Sequence, residues 1–374
     1  MSTRAALADL FTLRSVGPQW PLALQASVAI TLPILVFTVA GRPTWGLMAS
    51  LGSFLVLHLP TRSRRERAAE LPIIMVGFLI SALAGIATST SGVALLAAIF
   101  VVAEVTSFIG LALAVGSPGS MFYVLITGAV GALVAPASAQ GAGVDPVLVL
   151  VLLVVGMVMA YLVVLAPLLL PSGRRRDAVR YRTRTPWKFA VTPEVRRIFI
   201  RLSIATAIAV GIGATLDLHR IHWVLLAIIA ILQKDSEVRL SVLRAIHRVL
   251  GTALGLALFW LIALWDPTGY PLVLLIGFLM YMWEILAPRN LGLALGAITP
   301  MALVIAAKGA GQPLIDIVGV RVEDTSLGAG IALLVLIAVT LARREHAVTV
   351  ARRRSERPSA GSAKLPRLPS NGRG

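Results

Sequence analysis

Apolar residues fall into about a dozen long runs, separated by short polar or basic turns. An α-helix needs about 20 apolar residues to cross a bilayer. The pattern predicts spans near 20–41, 44–60, 71–89, 92–115, 119–135, 146–171, 196–216, 222–233, 249–265, 271–287, 290–307 and 325–342, with 222–233 noticeably short. Transmembrane β-strands would alternate apolar and polar residues over about 10 positions, and these runs do not alternate. The fold class read from the pattern is all-α: a polytopic membrane bundle of about 12 transmembrane helices arranged as two parallel six-helix repeats.

The repeat rests on matching order. QASVAITLPILVFTVAGRPTW, ending at Trp45, parallels RLSIATAIAVGIGATLDLHRIHW, ending at Trp223. In each half the tryptophan opens a second apolar run, a basic turn follows, and a third run begins with small residues. These are Gly251, Thr252 and Gly255 in the second half, and more loosely Gly77, Ser81 and Gly85 in the first. Small residues on one helix face let a second backbone approach closely inside a membrane. Six spans per half give both halves the same orientation about an axis along the membrane normal. Repeats of this kind commonly place a substrate pathway at their interface near the midplane.

The predicted organisation is a cytoplasmic lead at 1–19, a first six-helix repeat at 20–171, a basic cytoplasmic linker at 172–195, a second repeat at 196–342 and a basic tail at 343–374. The tail is rich in Ser, Pro and Gly and is expected to be disordered.

Composition agrees with a membrane setting. The chain is 57% hydrophobic and 14% charged, against roughly half and a quarter for soluble domains. Its net charge of +17 is distributed by topology. Only Arg42, Arg220, Lys308 and Arg321 fall outside segments that twelve alternating spans would place on one side. That bias sets both termini in the cytoplasm. Membrane lipid is thus an expected partner through weak attraction to anionic headgroups, and nucleic acid is not. Cysteine is absent, which excludes disulfides and Cys-based metal chemistry. The first residues show no cleaved signal pattern, so the first span directs insertion into the inner (plasma) membrane. P-loop, HExxH, EF-hand and GxSxG patterns are missing. The chain is therefore read as non-enzymatic, with no cofactor or metal and no ATP-driven pump of its own.

Several residues are candidates for function. Glu104 lies near the middle of its span, where an ionised carboxylate is costly unless it faces protein or water. It is a candidate for proton coupling; the bland alternative is a hydrogen-bonded packing residue. Glu284 is its counterpart, 180 residues on, with snorkelling or local pairing to Arg289 as the alternative. Arg248 and Arg321 precede the small-residue faces, and a guanidinium grips a carboxylate through two parallel hydrogen bonds. Arg248 could equally be a topology anchor, and Arg321 could pair with Asp324 or Glu323. Gly251, Thr252, Gly255, Thr325 and Gly328 read as helix-packing residues. Trp45 and Trp223 read as interfacial belt residues, and His222 and His247 as edge residues that titrate near neutrality.

Within the second half, Arg248-Val-Leu-Gly-Thr-Ala-Leu-Gly255 and Arg321-Val-Glu-Asp-Thr-Ser-Leu-Gly328 both fit R-x-x-[GD]-T-x-x-G. With the twelve-span layout, the span-opening His222-Trp223 and the Gln233 that closes that span, the chain resembles the fusaric acid resistance and aromatic acid exporter family. The motifs cover 196–342 well and 20–171 only in outline. The first half lacks clean copies of either signature, and a short linker stands where family members often carry a soluble domain. The resemblance implies efflux of small organic anions, often aromatic carboxylates, across the inner membrane. Two other functions remain open at this level: a passive organic-anion channel whose basic mouths set selectivity, and a non-transporting scaffold whose tail docks a partner. The sequence leaves a homo-oligomer open.

Overall fold

The structure is a computed structural model that describes residues 12–139, 141–181, 186–215, 221–233, 238–311, 314 and 326–338. Among these, all regular structure is helical. The first half comprises α1 (Trp20–Val39), α2 (Pro43–Ser53, continued by a 3-10 turn at Phe54–Leu57), α3 (Arg64–Thr88), α4 (Gly92–Ala112), α5 (Met121–Val134) and α6 (Pro146–Leu165). A connecting helix α7 (Pro171–Tyr181) leads to α8 (Pro193–Thr215), α9 (Ile221–Leu232), α10 (Val238–Trp265), α11 (Gly269–Leu286) and α12 (Leu291–Gly309). The last described helix is α13 (Ser326–Ala338).

Each predicted apolar run contains a helix, but the helices are not equal. Eight are long and apolar enough to cross a membrane; α2, α5, α9 and α13 are shorter. With 12 residues, α9 extends only about 18 Å, against a hydrocarbon thickness of about 30 Å. Burial explains the difference. Every residue from Ile221 to Ile229 is buried, and α2 buries Gly46 through Ser53 without a break. A helix enclosed by protein need not match the bilayer, because its ends are satisfied by neighbours rather than by lipid. The long helices turn apolar side chains outward instead: Ile73, Val76 and Ile80 on α3, and Val147, Val151 and Leu162 on α6. α2 and α9 lie in an inner layer together with the largely buried long helix α12, while the other long helices turn apolar faces outward.

Side-chain caps set the helix starts. Ser63 and Glu66 close a reciprocal box at α3, with Ser63 N–H donating to Glu66 Oε2 at 2.9 Å and Glu66 N–H to Ser63 Oγ at 3.2 Å. Asp145 accepts from Leu148 N–H at 2.8 Å ahead of α6, and Asn290 accepts from Leu293 N–H at 3.1 Å ahead of α12. Both satisfy donors that a helix start leaves free.

Packing follows one order in both halves. α3 packs on α5 as α10 packs on α12, and α1 on α2 as α8 on α9. Across the halves, α1 meets α11 and α4 meets α8, while α2 meets α12 and α5 meets α9. Each of those cross-contacts has a counterpart in which the halves exchange roles.

The segment between the halves is pinned to the bundle. The buried Asp177 of α7 accepts from the backbone N–H groups of Arg64 and Arg65 in the first turn of α3. Trp187 Nε1 donates to Glu70 at 2.9 Å, and the Arg62 guanidinium lies over the Trp187 ring at 4.7 Å. Ala190 N–H donates to the Ala112 carbonyl at the end of α4 at 2.9 Å. The predicted tail at 343–374 lies outside the described residues.

Candidate functional site

Glu104 projects from α4 onto α8. Its Oε1 accepts from Thr206 Oγ1 at 2.6 Å, and its Oε2 accepts from the Ser203 hydroxyl. The two donors are three residues apart on one helix and so share a face. Thr206 Oγ1 also lies 3.0 Å from the carbonyls of Leu202 and Ser203. A hydroxyl has one proton to give, so its bond to Glu104 competes with back-bonding along its own helix. The carboxylate thus sits in the contact between the two halves. The corresponding contact, α1 on α11, is joined by Ser27 Oγ donating to the Gly277 carbonyl at 2.7 Å.

Glu284 lies half-buried on α11, next to Trp283. Arg289 does not pair with it: its guanidinium donates to the Ile285 carbonyl, and its own carbonyl accepts from Arg14 N–H at 3.1 Å. Local capping of the α11 end therefore replaces the pairing read from the sequence. Glu104 and Glu284 share no hydrogen-bond partner among the described residues.

Three arginines close the C-terminal ends of the short inner helices. Arg201 Nη2 donates to the Leu232 carbonyl at 2.6 Å and Arg244 Nε to the Ile231 carbonyl at 3.1 Å, both at the end of α9. In the first half, Arg67 Nη2 donates to the Val56 carbonyl at 2.6 Å beyond α2. The last carbonyls of a helix lack intrahelical partners and carry the negative end of its dipole. A buried guanidinium answers both needs. The capping role depends on carbonyls contributed from elsewhere in the chain; a basic residue at the edge of an apolar run near a short helix is the signal the sequence carries for it.

Arg248 differs. It is half-buried on α10, its Nε has no hydrogen-bond partner, and nothing among the described residues pairs with its guanidinium. One turn further, Thr252 is buried. The small residues beside it lie in close contact: Gly251 faces the Gly292 carbonyl, and a Cβ on Gly255 would come within 2.7 Å of Thr299 Cβ and 3.1 Å of the Leu295 carbonyl. A Cβ on Gly328 would lie 2.7 Å from the Val224 carbonyl and 2.8 Å from Ala227. Arg321, Asp324 and Thr325 lie outside the described residues.

Several edge assignments are corrected. Trp223 is buried beneath its neighbours, with the His222 ring 5.2 Å away, so it is a core residue rather than part of an interfacial belt. His222 and His247 are buried as well. Trp45 keeps a half-buried position with Arg42 over its ring at 5.0 Å. Lys308, an exception to the charge bias, pairs with Asp266 at 2.6 Å. Gln233 lies against Gly119, whose positive φ of 61° belongs to a turn that glycine enters without strain.

Residues 207–335 match one family. The matching family model is described as fusaric acid resistance protein-like. The resemblance read from the second-half motifs is borne out over this stretch, which carries Arg248, the small-residue faces and Glu284, and stops short of Glu104, Ser203 and Thr206. The uncharacterized membrane protein YvaC of Bacillus subtilis (strain 168) is 32% identical over 119 residues. That match covers 31% of this chain and 18% of the Bacillus protein, so the chain aligns with under a fifth of that relative's length. No solved structure matches. The chain is a multi-pass helical membrane protein whose residues 207–335 are similar to the fusaric acid resistance protein-like family.

Proposed function

We propose that this protein is a secondary transporter of the bacterial inner membrane that exports small organic anions, aromatic carboxylates foremost, in exchange with protons. The observation that carries the reading is Arg248. A guanidinium stays charged at any physiological pH, and the buried Nε of this half-buried guanidinium has no hydrogen-bond partner among the described residues, an arrangement that is costly for a charge. An incoming carboxylate offsets that cost with two charge-assisted hydrogen bonds. The fusaric acid resistance protein-like stretch around Arg248 supports an organic anion as the cargo.

Glu104 supplies the second half of the cycle. It takes its hydrogen bonds from the opposite half, so gaining or losing a proton changes how α4 is held to α8. A carboxylate in that place links proton movement to relative movement of the halves. The basic segments set both termini in the cytoplasm. The test is uptake of labelled benzoate into inverted membrane vesicles under an imposed pH gradient. Glu104→Gln is expected to abolish pH-driven uptake while protein levels stay normal. Unchanged uptake would remove proton coupling through Glu104.

A further inference from the structure

The two halves can be placed in register by their own packing. Gly85 on α3 meets the Thr127 carbonyl, and its Cβ would lie 3.1 Å from Gly131 N on α5. Gly255 on α10 meets the Leu295 carbonyl and Thr299 on α12. Thr127 and Gly131 are four residues apart, as are Leu295 and Thr299, so the two glycines hold the same place. Seven residues before each stand Phe78 and Arg248; three before each stand Ala82 and Thr252.

Chemistry at those places is opposite. Phe78 is fully buried and sealed by rings: His58 at 5.3 Å and 78°, and Tyr123 at 5.1 Å and 83°. Phe122 adds to the plug at 5.8 Å from His58 and stacks on Phe54 at 4.5 Å. Edge-to-face and offset rings at such spacing pack tightly. Ala82 beside it is fully buried too. In the second half the places of Phe122 and Tyr123 fall to Asn290 and Leu291, and the aromatic plug is gone. Arg248 and Thr252 stand four residues apart on one face of α10, and no described residue hydrogen-bonds either side chain.

We infer that the halves have diverged at corresponding places, so that each chain holds one organic anion, gripped by the Arg248 guanidinium and the Thr252 hydroxyl, while the first half is plugged by Phe78. This rests on the organic-anion reading above. The guanidinium presents a planar fork to both carboxylate oxygens, and the hydroxyl adds a donor one turn deeper. Gly251 and Gly255 hold α12 close against α10.

The test is equilibrium dialysis of the full chain in detergent against radiolabelled benzoate. One benzoate per chain is expected. Arg248→Gln should weaken binding at least about tenfold, since hydrogen bonds to charged groups are the strong ones. Arg248→Lys, which keeps the charge and loses the fork, should fall in between, and the near-isosteric Thr252→Val should weaken binding severalfold. Phe78→Leu should leave stoichiometry and affinity unchanged; should that variant not fold, the Arg248→Lys and Thr252→Val pair decides. Two benzoates per chain, or binding that survives Arg248→Gln in folded protein, would overturn the single-site assignment. A folded wild-type chain that binds no benzoate would instead overturn the organic-anion reading beneath it.

Discussion

Arg201 and Arg248 show how one residue type takes opposite parts in one membrane protein. Arg201 is 4% exposed and spends its guanidinium on the Leu232 carbonyl; Arg248 finds no protein partner among the described residues. Structural arginines of the first kind should matter to stability first. Arg201→Met, which keeps the apolar stem and removes the donors, is expected to destabilise the protein by about 1–3 kcal/mol, the cost of leaving a buried acceptor unsatisfied. A lowered melting temperature in detergent, with transport per folded molecule retained, is the result to look for. Arg248 stands out in the sequence as an anion-contact candidate, whereas the capping role of Arg201 is not legible there. Both depend on which carbonyl or carboxylate arrives from elsewhere, and the donors to Glu104 are 99 and 102 residues away along the chain.

At the scale of the element, the small-residue faces set how closely helices approach. α10 and α12 meet where Gly251 lies against the Gly292 carbonyl, leaving no room for a side chain. Gly251→Leu must drive the pair apart. Overpacking of this kind costs about 1–3 kcal/mol, occasionally more, so the variant is expected to melt earlier and express poorly, while Gly211→Ala, at a position open to space, should behave as wild type. Helix positions were legible in the sequence because lipid demands long apolar runs. Which helices form the inner layer was not. In a bilayer both the lipid face and the core face are apolar, so periodicity does not separate them. Trp223 illustrates the loss: an amphipathic ring near the end of an apolar run reads as an interfacial anchor, and only the burial of all of α9 up to Ile229 shows it to be core.

At the scale of the whole molecule, the cross-contacts α1–α11 and α4–α8 place one pair of hydroxyl-rich helices at each side of the boundary between halves. One pair carries a carboxylate and the other a backbone carbonyl as acceptor. Together with Arg248 opposite Phe78, this makes the molecule similar in frame and unequal in chemistry, as the proposed carrier with one cargo site and one coupling site would require. The matching order of the runs is readable along the chain; the inequality is not, because it appears only when packing puts the halves in register.

The measurement that tests the account most directly is accumulation of labelled benzoate by purified protein in liposomes, with and without an imposed pH gradient. Accumulation above the external concentration, present only with the gradient, is the predicted result. Flux that only equalises concentrations, gradient or not, would contradict a coupled exporter and describe a passive anion channel instead.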